Sequence, residues 1–396
     1  MQPFPWQDLT RRTATVLVCV LWLVACGGGV DSGGTGAFAS GPITGFGSII
    51  VGKVHYDESA AVVEDEFGVA SSPARLRLGM FTEIGATEPG GDANMPTATA
   101  MSVRFRSEIV GPVSAIDTTA ATLTVLGQTV KIGARTVFDE SLVGGLAALH
   151  VTDIVEVYGQ YDARARQYVA SRIEPRADAT RFKLRGRISS LDETAQTFVI
   201  GGQTIAYGAA TPLPALRPGL TLRVLLDKTM TGTVWTATAV EIGVTQLADR
   251  PTAEVEGRVT AFVSIGQFEV DGIAVQTSGS TLFPNGSAGI VLGAHVDAKG
   301  SLSAGILIAS KVSVEADDEA EPFEISGAIA NLDSAAKTFV LNGSSGGRGI
   351  TVSYANTVVF EGGSAADLAR AKRAEVKGTL SSDGTRLDAR SIHLEL

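Results

Sequence analysis

Along most of the chain, apolar and polar residues alternate in short runs, and the runs return in the same order. The clearest copy reads Phe182-Lys-Leu-Arg-Gly186-Arg-Ile188, then Leu191-Asp192, then Thr197-Phe198-Val-Ile200-Gly-Gly202. Alternation with a period of two places one set of side chains on one face of a strand, so this stretch predicts a strand, a turn and a second strand. The glycine that ends the first strand recurs as Gly111, Gly186, Gly257 and Gly327, at steps of 75, 71 and 70 residues. Two residues further on stands an aliphatic each time: Val113, Ile188, Val259 and Ile329.

The register extends through the unit. The second strand carries Leu123, Phe198, Phe268 or Phe339 and ends on Gly127, Gly202, Gly272 or Gly343, a residue suited to a hairpin turn with positive φ. A third strand follows (Gln128-Thr-Val130 and its counterparts). Then comes a connector with helical spacing, clearest in Ala365 to Ala371, and a fourth strand such as Leu220-Thr-Leu222-Arg-Val224. The unit closes on Ala-x-x-aliphatic: Ala170 to Ile173, Ala237 to Val240, Ala309 to Val312, Ala389 to Ile392. A degenerate first copy opens with Gly45-Phe-Gly-Ser-Ile-Ile-Val-Gly52 and closes with Ala98-Thr-Ala-Met101. Polar and Pro-containing clusters at 174–180, 246–252 and 315–322 read as solvated linkers, and the insert Glu88 to Pro96 as a long loop. The expected organisation is residues 1–25 signal peptide, 26–40 tether, and repeats at 41–107, 108–176, 181–243, 253–315 and 321–396.

Five strands in about 70 residues with a helical connector after the third is the order of elements of an OB-like β-barrel, and closure removes exposed sheet edges. The fold class is therefore all-β, as tandem small five-stranded barrels. An Ig-like sandwich is the runner-up, though it needs more strands. The lines Gly186-Arg-Ile188, Leu191-Asp192, Thr197-Phe198-Val199-Ile200, Thr136-Val-Phe138 and Val155-Glu-Val157-Tyr-Gly159 resemble the bacterial repeat known as domain of unknown function 5666. Members are commonly lipoproteins with several copies. The resemblance implies fold and location and carries no activity.

The N-terminus adds a location. Arg11 and Arg12 precede an apolar run from Thr13 to Ala25, too short to span a bilayer but suited to a signal peptide. It ends in Leu23-Val24-Ala25-Cys26, which resembles the bacterial lipobox and implies lipidation at Cys26. The paired arginines leave the general and twin-arginine export routes both open. Gly27 to Gly36 is a flexible tether, and Gly27 in place of Asp favours an outer membrane lipoprotein, periplasmic or surface-facing. With only Cys19 and Cys26 in 396 residues, the mature chain forms no internal disulfide. A net charge of −10 argues against nucleic acid as a partner.

Chemistry is sparse. His55, His150, His295 and His393 fall in different repeats without metal-ligand spacing. Glu315, Asp317-Asp318-Glu319 and Glu321 lack the spacing that wraps Ca²⁺ and read as a solvated linker. Asp117, Asp192 and Asp333 suit turns. Two stacking candidates are the stretch Tyr161-Asp-Ala-Arg164-Ala-Arg166-Gln-Tyr168 and Trp235. Arg181, Lys183, Arg185 and Arg187 form a basic stripe that serves either a ligand or acidic neighbours such as Glu254 and Glu256. The expectation is a lipid-anchored cell-envelope protein acting as a non-catalytic binding or scaffold module, without cofactor, metal or catalytic residues. Its expected partners are the membrane, through the anchor, and an envelope protein or polysaccharide. A structural spacer and an envelope-polymer hydrolase are the alternatives, and one deep polar cleft shared between repeats is the observation that would justify naming a site.

Overall fold

The structure, a computed structural model, describes residues 36–92, 95–244, 247–315, 323–342, 349–381 and 385–395. Cys26, the signal segment, the tether up to Thr35 and the acidic run 316–322 lie outside them. Within residues 34–396 the strands form one contact unit of five closed barrels.

Barrel two shows the plan. Its strands are Ile109–Asp117, Thr122–Val125, Gln128–Phe138, Ile154–Asp162 and Gln167–Pro175. Strand one pairs antiparallel with strand two, two with three, and four with both five and one. Strand three closes on strand five in parallel, which gives the OB order 1-2-3-5-4-1. Barrel three (Phe182–Asp192 to Trp235–Ile242), barrel four (Arg250–Ser264 to Ile306–Val314) and barrel five (Phe323–Asp333 to Arg386–Glu395) repeat the order, each with the parallel three-to-five closure. Barrel one does so with broken strands. Ala37–Pro42 and Gly45–Phe46 share the place of strand one, and Met95–Arg106 is strand five.

Alternation explains the interiors. Ile109, Leu184, Val255 and Ile325, two residues before each strand-one glycine, point inward and are buried. Phe198, Phe268 and Phe339 fill the centres of barrels three, four and five. The expected hairpin glycines Gly127, Gly202 and Gly272 carry positive φ, as in Asp271-Gly272 (51° and 85°), where two consecutive positive φ values match the twist of the flanking strands; Gly343 lies outside the described residues. Asp117, Asp192 and Asp333 hold the other turns, each Oδ1 accepting two backbone N–H groups at 2.8–3.0 Å.

Three local expectations change. The connector is not an α-helix: Ala365–Ala369 is a single 3₁₀ turn, capped by Ser364 and Asp367, because five residues close one turn and no more. The insert before Pro96 is partly paired, Gly90–Asp92 running against Met95–Thr97. Two linker ends belong to strands: Glu174 and Pro175 finish strand five of barrel two, and Arg250 to Thr252 begin strand one of barrel four.

The barrels also pair with one another through their first strands. Ala37–Ser40 runs parallel to Thr252–Val255 of barrel four, and Gly45–Phe46 parallel to Glu324–Ile325 of barrel five. Ile109 and Val110 of barrel two pair with Leu184 and Lys183 of barrel three. The cores of barrels two and three merge into one apolar cluster, and Tyr158 of barrel two is buried among barrel one's core residues. Barrel one is thus a hub.

Candidate ligand sites at the barrel seams

Three residues before the strand-one glycine, each of the four later copies carries a charge: Glu108, Lys183, Glu254 and Glu324. Alternation turns this position outward, and a neighbouring barrel covers it. Glu108 accepts from Arg106 Nη1 at 2.5 Å and Arg185 Nη1 at 3.1 Å. Lys183 donates to Glu66 and Ser107. Glu254 meets Lys299 at 2.8 Å, while Glu324 meets His55 at 3.2 Å and Lys377 at 3.0 Å. Asp271 joins them from its hairpin turn, bound by Arg106 and Arg185.

The basic stripe is therefore built into the seams. Lys183, Arg185 and Arg187 pair with Glu66, Glu108, Asp271 and Glu269, not with Glu254 and Glu256. Arg181 stays exposed. Two of the three candidate aromatics belong to the interior, while Tyr161 is half-buried with its ring centroid 5.0 Å from that of Tyr168. Trp235 is buried edge-on against Phe182, and buried Tyr168 donates its hydroxyl to Arg185 O at 2.6 Å. In a small barrel such rings are needed to fill the interior. The histidines are dispersed: His150 and His393 are exposed, and His295 lies 3.4 Å from Glu256. Among the described residues no group of three or more His, Cys, Asp and Glu is placed to hold a metal ion.

A cleft shared between barrels is present. A cavity of about 300 Å³ opens between barrels one, two and four, with Pro42, Phe81, Val169 and Ala170 giving it apolar surface and Arg135, Gln160, Gln167, Asp162, Glu256 and His295 a polar one. Arg135 makes no hydrogen bond or ion pair with the described residues. Burial would raise the Glu256 carboxyl, but the hydrogen bond and charge of His295, followed by the charges of Arg135 and Lys53, hold it below its ordinary value.

Beside the cleft lies a second space of about 10 Å³ lined by Glu254, Glu256, Asp297, Glu315, Lys53 and Arg135. Burial first, then the charge of Asp297, pushes the Glu254 carboxyl up to about 8. Asp297 is raised too, chiefly by burial. A third cavity, about 270 Å³, is walled by Arg104, Arg106, Arg185 and Arg223. Sequence reading missed all three, because none falls within one repeat. The charged position before the strand-one glycine was the visible signal.

This architecture defines a class: a tandem array of OB-type barrels with polar cavities between copies. Sequence comparison then places the chain. It belongs to the family described as domain of unknown function (DUF5666), whose profile matches residues 110–174, 185–241, 256–313 and 326–393. No curated protein matches it. Among solved structures, the drosophila Unr CSD456 chain aligns at 13% identity over 55% of this chain and 98% of that one, with a TM-score of 0.14. The fold assignment rests on the strand order alone.

Proposed function

We propose that the protein is a lipid-anchored, non-catalytic binding module of the bacterial envelope, tethered at Cys26 to the outer membrane, and that the cleft between barrels one, two and four takes a segment of envelope polysaccharide. The single observation that carries this is the 300 Å³ cleft itself, where an apolar patch faces Arg135, Gln160, Gln167 and Asp162. Sugars present apolar ring faces and a fringe of hydroxyls, and pockets for small ligands combine these two surfaces. First-strand pairing joins barrels one and four, and Gln160 Nε2 of barrel two donates to Glu256 O of barrel four at 3.3 Å, so three barrels meet at the cleft, which favours a binding role over a spacer. A hydrolase would need its carboxylates to reach substrate. Asp162 and Glu256 do line the cleft, but Glu256 is held below its ordinary value, the wrong direction for a general acid, and the raised pair Glu254 and Asp297 faces a space with room for about one water molecule.

The test is binding of envelope glycan fragments to the full-length protein in nonionic detergent, beside an Arg135→Ala variant. Wild-type binding that Arg135→Ala weakens supports the reading. Absence of glycan binding, or turnover of the glycan into shorter products, overturns it. Mass spectrometry of Cys26 tests the anchor, with a diacylglycerol-modified thiol as the expected result.

A further inference from the structure

The arginine-walled cavity lies between barrels one and three, away from the saccharide cleft. Four guanidinium side chains line it, from Arg104, Arg106, Arg185 and Arg223, together with one carboxylate, Glu66, and the apolar Ile242 and Val244. The acids that balance the arginines stand behind that wall: Glu64, Glu83, Glu108, Glu241 and Asp271 bind these guanidiniums without lining the cavity. Structural ion pairing accounts for most of the N–H groups but not for all of them. Arg106 Nε and Arg223 Nε are buried without a hydrogen-bond acceptor, and Glu83 Oε1, at 3.6 Å from Arg106 Nε, is beyond reach. Glu66 Oε2 is equally buried and accepts no hydrogen bond, with Arg223 Nη1 at 4.0 Å, although Oε1 takes Lys183; burial raises this carboxyl against the opposing charge of Lys183. Buried donors and acceptors left unmatched are costly, and a polar cavity is where a ligand supplies the missing partners. Burial and the charge of Arg185 pull Arg106 down to about 10, a strain that an added anion relieves.

We propose that this cavity binds inorganic phosphate. The unmatched groups are two N–H donors and one carboxylate acceptor, so the ligand must accept from arginine and also donate to Glu66. A tetrahedral oxyanion suits the guanidinium forks. Phosphate at neutral pH still carries an ionisable proton, which Glu66 Oε2 accepts. Sulfate carries none and sets oxygen lone pairs against the carboxylate, so it is rejected by an unpaired charge.

Calorimetry on the full-length protein in nonionic detergent tests this with inorganic phosphate, glycerol phosphate and sulfate at matched ionic strength. Inorganic phosphate should bind, and sulfate and glycerol phosphate, which is mostly a dianion without a P–OH proton at neutral pH, each at least about tenfold more weakly. Arg104→Met should weaken phosphate about tenfold, since a charge-assisted contact is lost at a half-exposed position where folding survives. Glu66→Gln should narrow the gap between phosphate and sulfate. Arg135→Ala, in the other cleft, should leave phosphate binding unchanged, so failure of the saccharide reading and failure of this one are separate results. Phosphate heats no greater than those of chloride, equal affinity for sulfate, or an Arg104→Met variant that binds phosphate like wild type would overturn the proposal.

Discussion

Phe198, Phe268 and Phe339 hold one place in three barrels, and all are buried in the same way. Glu108, Lys183, Glu254 and Glu324 also hold one place in four barrels, yet each has different partners and one has the opposite sign. The interior position asks only for apolar volume, which any copy supplies by the same residue type. The outward position must match one particular neighbour, so it diverges as soon as the copies take up different places. Lys183 is the instructive case: barrel one offers it a buried carboxylate, Glu66, and the copy has answered with a cation. Interiors make barrels, and seams decide which barrel sits against which.

The strongest way to break this contrast is to damage an interior. Phe339→Ala removes a fully buried ring that packs 6.1 Å from Tyr354 and is expected to cost about 3–5 kcal/mol, read from the urea midpoint. The loss should be local: amide exchange should rise in barrel five well before barrel two. Uniform loss of protection over all five barrels would mean that interiors and seams fail together.

A seam comes next. Asp271 sits in a hairpin of barrel four but binds Arg106 of barrel one and Arg185 of barrel three. Asp271→Ala leaves two buried cations with Glu108 as their shared acid, and removing one partner of a buried pair costs about 3 kcal/mol. Here exchange should rise along the strands facing barrel four while the barrel interiors stay protected. A cost under about 1 kcal/mol, typical of exposed pairs, would show that the seam is held by strand pairing instead.

What could be read in the chain follows the same division. Strand order, the hairpin glycines and the Asp117, Asp192 and Asp333 turns were legible because each is settled within about 20 residues, by alternation or by a backbone angle. The 3₁₀ connector was misread because Ala365 to Ala371 has helical spacing but no length to continue. Arg135, His295, Arg104 and Arg223 were not legible as site residues. Their neighbours lie in other copies, and nothing in a repeat states how it docks. Lys183 and Arg185 read as a basic stripe open to either a ligand or acidic neighbours, and which acids they meet is not legible, since sequence supplies charge but not address.

The smallest effect sharpens the comparison most, because it pits two equivalent glutamates against each other. Glu254 is raised to about 8 by burial and by Asp297, whereas Glu324 is lowered, its burial outweighed by hydrogen bonds from His55 and Lys377. For Glu254 the folded state keeps a proton that the unfolded chain releases near 4.5, so its contribution is intact below that pH and is lost as pH rises toward 8. For Glu324 the folded state ionises first, so its contribution is present above 4.5 and is lost as pH falls through the lowered value. Gln mimics the protonated acid and cannot ionise. Glu254→Gln should therefore melt a few degrees above wild type near pH 8 and match it near pH 4.5. Glu324→Gln should melt below wild type at neutral pH and approach it in acid. If both substitutions shift the melting temperature in the same direction at neutral pH, the two seams are electrostatically alike, and the idea that each copy's outward charge is fitted to its own neighbour fails.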